Sequence, residues 1–148
     1  MRKYLVNSTY CINLLDLQEL YFNESIFTIK EVVEEVKHER GLVIEPLLIS
    51  AKKAGLQVKG NLLSNTDIAL LQTSKSMDLI LVTDDQKLIT AAHKNGVHPL
   101  DTPHFVHRLL IENKLTEEKA VDILNRLKSR YNRVYVIDKV IKDIKNWR

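Results

Sequence analysis

Carboxylates and one amide stand where short apolar runs end. Asn7 follows Lys3-Tyr4-Leu5-Val6, and Asp84-Asp85 follow Leu79-Ile80-Leu81-Val82-Thr83. Asp67 opens an apolar-periodic stretch ahead of that second run, and Glu34 and Glu35 lie on the stretch after Ile26-Phe27-Thr28-Ile29. In an open parallel sheet the reactive crevice lies beyond the carboxyl ends of the strands, so short connections would gather these groups at one edge. Gathered carboxylates repel one another unless a cation neutralises them. Oxygen donors without thiolates favour Mg²⁺ or Mn²⁺, and such a site activates water for in-line displacement at phosphorus.

Each residue also has a plainer reading. Glu35 shares its stretch with Glu31, Glu34 and Glu39, and by itself reads as surface charge. Asp67 stands three residues after Ser64, close to a capping box. One of Asp84 and Asp85 reads as a helix cap, and which of the two would ligate a cation stays open. Ser64 and Thr83 read equally as caps or as hydrogen-bond partners of the carboxylates. His104 and His107 stand three apart with no third ligand in view, and Cys11, in an apolar stretch, reads as core packing.

The elements that must position these groups follow from periodicity. Strands are expected over residues 3–6, 26–29, 56–58, 79–82 and 97–100, the unbroken 79–82 run being a central strand buried on both faces. Helices are expected over residues 10–20, 31–40, 45–54, 67–71 and 86–95, with Gly41, Gly55 and Gly96 as stop signals. Beyond Pro103 three further helices are expected, over residues 105–113, 117–129 and 134–147. Strands alternating with helices argue an α/β fold with a small parallel sheet between helices and a helical C-terminal extension. Residues 1–148 read as one domain, a core to about residue 102 and an extension over 103–148.

Composition bounds the function. The 148 residues are 45% hydrophobic and 28% charged, the balance of a globular chain with one real core. One Cys excludes an intrachain disulfide framework and a multi-Cys zinc site, and fits a reducing compartment. No apolar run approaches the roughly 20 residues of a membrane helix, and the opening residues do not read as a secretory signal. A cytoplasmic protein with no membrane contact is expected. Charge is uneven: residues 1–104 hold 11 Lys and Arg against 13 Asp and Glu, whereas residues 105–148 hold 11 against 6. A basic tail beside gathered carboxylates suits a phosphate-bearing partner, with Tyr131 and Tyr135 placed among the cations to stack on bases. The stripe Val134, Ile137, Val140, Ile141 and Ile144 must be buried on the domain, on another copy or on a partner protein. Trp147 would dock the last helix or meet a partner.

In order and spacing, Lys3-Tyr4-Leu5-Val6-Asn7-Ser8, Val32-Val33-Glu34-Glu35-Val36, Leu63-Ser64-Asn65-Thr66-Asp67 and Leu81-Val82-Thr83-Asp84-Asp85 resemble the PIN domain of metal-dependent ribonucleases, over residues 2 to about 100. The resemblance implies a three-layer α/β/α fold. It implies metal ligands at Asn7, Glu35, Asp67 and Asp85, with Asp84 beside the last. It implies Glu35, Asp67, Asp84 and Asp85 as catalytic groups, Mg²⁺ or Mn²⁺ as cofactor, and RNA cut by a metal-activated water. The family carries Asp where this chain has Asn7. The missing charge, at about 4 Å and an effective dielectric near 20, is worth up to ~4 kcal/mol before screening. Three readings follow: a site that works with three or four carboxylates, a site inactive by nature, or an engineered inactivation.

The family's toxin branch, small and dimeric, implies a homodimer and an antitoxin partner. Its branch that matures small-subunit ribosomal RNA adds a Cys-rich zinc ribbon, which a single Cys cannot supply. The alternative class is a PIN domain that binds RNA or protein without cutting. A nucleotide-binding α/β domain is a third class, disfavoured because no Gly-rich loop follows the first run.

Overall fold

Short runs of Leu, Ile and Val, too apolar to leave one face in water, build the centre of the molecule. The structure, a computed structural model, describes residues 3–16, 26–40, 48–49 and 63–147. Strands β1 (Tyr4–Val6), β2 (Ile26–Ile29), β3 (Leu48–Ile49), β4 (Ile80–Val82) and β5 (Pro99–Leu100) form a five-stranded sheet in the order β3-β2-β1-β4-β5. Every neighbouring pair is parallel. The central strands are buried throughout, as expected of strands covered on both faces. β1 and β4 pair Tyr4 with Ile80, Leu5 with Leu81 and Val6 with Val82, so Asn7 and Thr83 leave the sheet side by side.

The helices are α1 (Ser8–Asp16), α2 (Lys30–Arg40), α3 (Asn65–Met77), α4 (Gln86–Lys94), α5 (Thr102–Ile111), α6 (Glu117–Leu127) and α7 (Val134–Asn146), with a 3-10 turn at Lys128–Arg130. α1 packs on α2, α3 on β4 and α4 on β5; with this strand order the usual right-handed crossover puts the two helix pairs on opposite faces, consistent with α/β/α layers. Ser64, Asp85, Asp101 and Thr116 cap α3, α4, α5 and α6 by accepting from the N–H of Asp67, Lys87, His104 and Lys119. α3 continues past Leu71 to Met77 because Thr73 and Ser74, although polar, face inward. α5 starts at Thr102 rather than Phe105, since Pro103 suits a first helical turn that Asp101 already caps. Gly96, at φ +70, follows the end of α4 as its sequence suggests.

One expectation is overturned. Residues 45–54 read as a helix, but Leu48 and Ile49 pair in parallel with Thr28 and Ile29 as β3. A short apolar run cannot by itself separate strand from helix, and here the free edge of β2 decides. The rest of that segment lies outside the described residues, as do Gly41, Gly55, the strand expected at 56–58, and residues 17–20 of the first expected helix.

The extension packs into the same core as the sheet. Phe105 of α5 meets Tyr4 of β1 and Tyr10 of α1 edge to face, with ring centroids 4.9 and 5.3 Å apart, and the Tyr4 hydroxyl donates to Glu112. Four of the five stripe residues of α7 are buried on the domain itself: Ile137, Val140, Ile141 and Ile144 join the core cluster, and α5, α6 and α7 pack on one another, whereas Val134, in the first turn of α7, stays exposed. Trp147 is half exposed, its ring edge-on to His107. Cys11 is fully buried and burial pushes its thiol up to about 12, so it is packing rather than a nucleophile. Among the described residues no helix is long and apolar enough to cross a membrane.

Candidate active site

The strand order determines where a site can form. The chain leaves β1 towards β2 and leaves β4 towards β5, in opposite directions, so the crevice opens beyond the carboxyl ends of β1 and β4. Asn7 and Thr83 are the first residues past the paired Val6 and Val82. The Asn7 amide Nδ2 donates to Thr83 Oγ1 at 2.6 Å. Its carbonyl Oδ1 accepts from the Thr9 hydroxyl at 2.7 Å and from the Tyr10 N–H at 3.3 Å, which caps α1. The oxygen expected to ligate a cation is therefore already taken by two donors, and Asn7 is only 4% exposed.

Asp84 and Asp85 divide their roles. Asp84 Oδ1 accepts from the Thr102 N–H at 2.8 Å and the Tyr131 hydroxyl at 2.7 Å. Its Oδ2 accepts from Asn13 Nδ2 at 2.8 Å and the Thr102 hydroxyl at 2.5 Å. Four donors from α1, α5 and the turn before α7 thus converge on one carboxylate, which ties the extension to the crevice. Tyr131, expected as a stacking face, is instead buried, with its hydroxyl spent on Asp84; burial first, and then the Asp84 charge, push its phenol upward. Asp85 caps α4, accepting from the Lys87 N–H at 3.0 Å, while its own N–H donates to Thr83 Oγ1.

Asp67 lies in the first turn of α3, whose N-terminus must sit over the carboxyl end of β4 because the two run antiparallel. Its carboxyl is pushed above the ordinary value, first by burial and then by the negative charge of Asp85; hydrogen bonding from Ser64 opposes this and Glu35 adds to it. Glu35 sits partly buried on α2 beside the core residues Val32 and Val36. Asp85 and Glu35, far from Asp67 in the chain, are thus brought within electrostatic reach of it.

No protein-family model matches this chain, and no curated protein matches it. The site's chemistry follows from its donors. Among the described residues no three or more His, Cys, Asp and Glu side chains stand close enough together to hold a metal ion as placed. Glu35, Asp67 and Asp85 offer oxygen donors alone, and the charges of Asp85 and Glu35 act against ionisation of Asp67.

Sequence reasoning passed over Asn13 and Thr102, and counted Arg133 only among the cations of the basic tail; all three complete the surroundings. Arg133 donates from Nη2 to the Tyr131 hydroxyl at 3.1 Å and lies 3.8 Å from Asp101. Asp101 in turn meets His104 Nδ1 at 2.6 Å. Burial pushes the Asp101 carboxyl up, but hydrogen bonds and charge from His104, helped by Arg133, outweigh it and hold the group low. The bond to Asp101 raises His104, against burial. Thr9 and Asn13 stand four apart on α1, and that helical spacing was the available signal that one polar face looks into the crevice. Nothing comparable marked Thr102, whose partner Asp84 is distant in sequence.

Proposed function

We propose that this protein is a PIN-like, Mg²⁺- or Mn²⁺-dependent endoribonuclease. The observation that carries the reading is the electrostatic coupling of Asp67 to Asp85 and Glu35 at the switch point of a parallel sheet. Held acids that repel are costly to keep, and a divalent cation removes the cost. Glu35, Asp67 and Asp85 would hold it; Asp84 is a positioning residue, since its four hydrogen bonds fasten α1, α5 and the turn before α7 around the crevice. Bound there, the cation would supply Lewis acidity toward water and a phosphoryl oxygen. The chain's own part is to fix the three carboxylates on separate elements, to exclude bulk water behind Asn7 and Thr83, and to leave the crevice open to a strand.

Asn7 supports a second reading, a PIN-like module that binds RNA or a protein partner without cutting. Its carbonyl is used to cap α1, so its loss of charge is not offset by a free ligand oxygen. An aspartate would fit the same place, because the Thr83 hydroxyl can turn its proton towards an oxygen where it now accepts from an N–H. Under the toxin form of the proposal the protein is a cytoplasmic homodimer paired with an antitoxin.

Cleavage of an end-labelled single-stranded RNA with Mn²⁺, Mg²⁺ or EDTA tests both. Cutting by the native protein that Asp85→Asn abolishes supports the nuclease. Cutting only by Asn7→Asp supports the silenced module. No cutting by either, with RNA binding retained, removes the enzyme from the proposal.

A further inference from the structure

Two adjoining pockets open at the carboxyl edge on the side of the extension. One, of about 360 Å³, lies between α1, the start of α4 and residues 130–133; the other, of about 280 Å³, lies between α4, β5 and the start of α5. Gln86 and Arg133 line both, so the two form one cleft. The two pockets adjoin at Gln86, the residue next to Asp85, and none of Glu35, Asp67 and Asp85 lines either.

The cleft is lined by hydrogen-bond donors. Gln86, His93, His104, Arg130, Asn132 and Arg133 face it. Its two carboxylates are already occupied: Asp84 by four hydrogen bonds, Asp101 by the ring and N–H of His104 on one oxygen and by Arg133 at 3.8 Å from the other. Arg133 is fixed on the ridge between the pockets. Its guanidinium lies 5.6 Å from the Tyr131 ring centre. With the Gln86 amide turned to face it, Gln86 accepts from Nη2 at 2.8 Å and Nη1 at 3.2 Å. These partners orient the guanidinium without using all five of its donors, and a planar, held arginine is suited to phosphate oxygens. Two small pockets in file, with a fixed cation between them, match a chain of phosphates better than one nucleotide. Tyr135, 71% exposed at the start of α7, adds an open ring two residues from Arg133.

We propose that this cleft holds the phosphate backbone of a single RNA strand and leads it to the carboxylates at Asp85. The inference rests on the nuclease reading only for what happens at those carboxylates; the binding itself requires no cutting.

The test is fluorescence anisotropy of a labelled, mixed-sequence single-stranded oligoribonucleotide in EDTA across a series of KCl concentrations. Arg130→Gln, at an exposed position, is expected to weaken binding several-fold at low salt. It should also reduce the slope of log K against log salt by about 0.7, the change expected when one phosphate of a single strand is no longer neutralised. Arg133→Gln should do the same and Arg133→Lys should restore most of the slope. Lys142→Gln, the same charge change on the exposed face of α7, should leave the slope in place. Adenosine monophosphate should compete only at far higher concentration than unlabelled strand. Unchanged slopes in both arginine variants, an equal loss in Lys142→Gln, or equal competition by the mononucleotide overturns the cleft. Because cleavage is blocked, an inactive enzyme leaves a positive result standing. A protein that cuts RNA while its arginine variants bind unchanged keeps the nuclease reading and loses this one.

Discussion

Two neighbouring acids, Asp84 and Asp85, look alike in sequence and differ in every partner. Replacing Asp84 with Asn leaves an amide facing donors from Asn13 and Thr102, so stability should fall by about 2–4 kcal/mol in urea denaturation. Tyr131→Phe removes a single donor and should cost about 1–2 kcal/mol. Asp67 behaves in the opposite sense. Its folded pKa lies above the ordinary 3.8, so the folded state is penalised at pH above the folded value and the penalty fades as pH falls below 3.8. Asp67→Asn should therefore raise the Tm at pH 7 in EDTA, with the gain vanishing in acid. Mn²⁺ should raise the native Tm and leave the variant's alone. A lower Tm for Asp67→Asn at pH 7 would count against an acid held there under repulsion.

At the scale of the element, caps do most of the local specification. Ser64→Ala and Thr116→Ala should each cost about 1 kcal/mol, since each hydroxyl satisfies a first-turn N–H of α3 or α6. The start of α5 carries a pH signature. His104 is raised, so its contribution is complete below 6.5 and lost as pH rises through its folded value. Asp101 is lowered, so its contribution is complete above 3.8 and lost as pH falls through its folded value. Their pairing should stabilise the fold most between 3.8 and 6.5, with Lys139 opposing and Asp143 supporting the charge on His104. Melting curves of His104→Ala across pH 3 to 9 should show the difference from the native protein largest in that window; an offset that does not vary with pH would remove the pair from the account.

For the whole molecule the decisive feature is that the extension and the sheet share one apolar cluster. Phe105 inserts between Tyr4 and Tyr10, so Phe105→Ala should cost about 3–5 kcal/mol and weaken both ends of the chain together. A chain ending at residue 101 would leave Tyr4 and Tyr10 without that cover and Asp84 without Thr102 and Tyr131. It should lose a sigmoidal urea transition; a cooperative transition from such a fragment would show that the extension is an addition to a self-sufficient core.

What the amino-acid sequence determined by itself is local. The runs at β1, β2 and β4, the cap at Ser64, the stop at Gly96 and most of the inward stripe of α7 were readable, because each depends on neighbours a few residues away. The α/β alternation was readable for the same reason, and Asp67 and Asp85 stood out as a helix start and a strand end, whereas Glu35 was singled out only through the resemblance. Pairing decided the rest. Leu48–Ile49 became a strand because β2 offered an unfilled edge. Asp84 became a hub and Asp85 a cap because Thr102 and Tyr131, distant in the chain, arrive on one side only. Tyr131 was withdrawn from solvent and Arg133 fixed over the cleft by the same packing of α5, α6 and α7 on the sheet. A carboxylate's role follows from which donors and charges reach it, and those reach it through the fold.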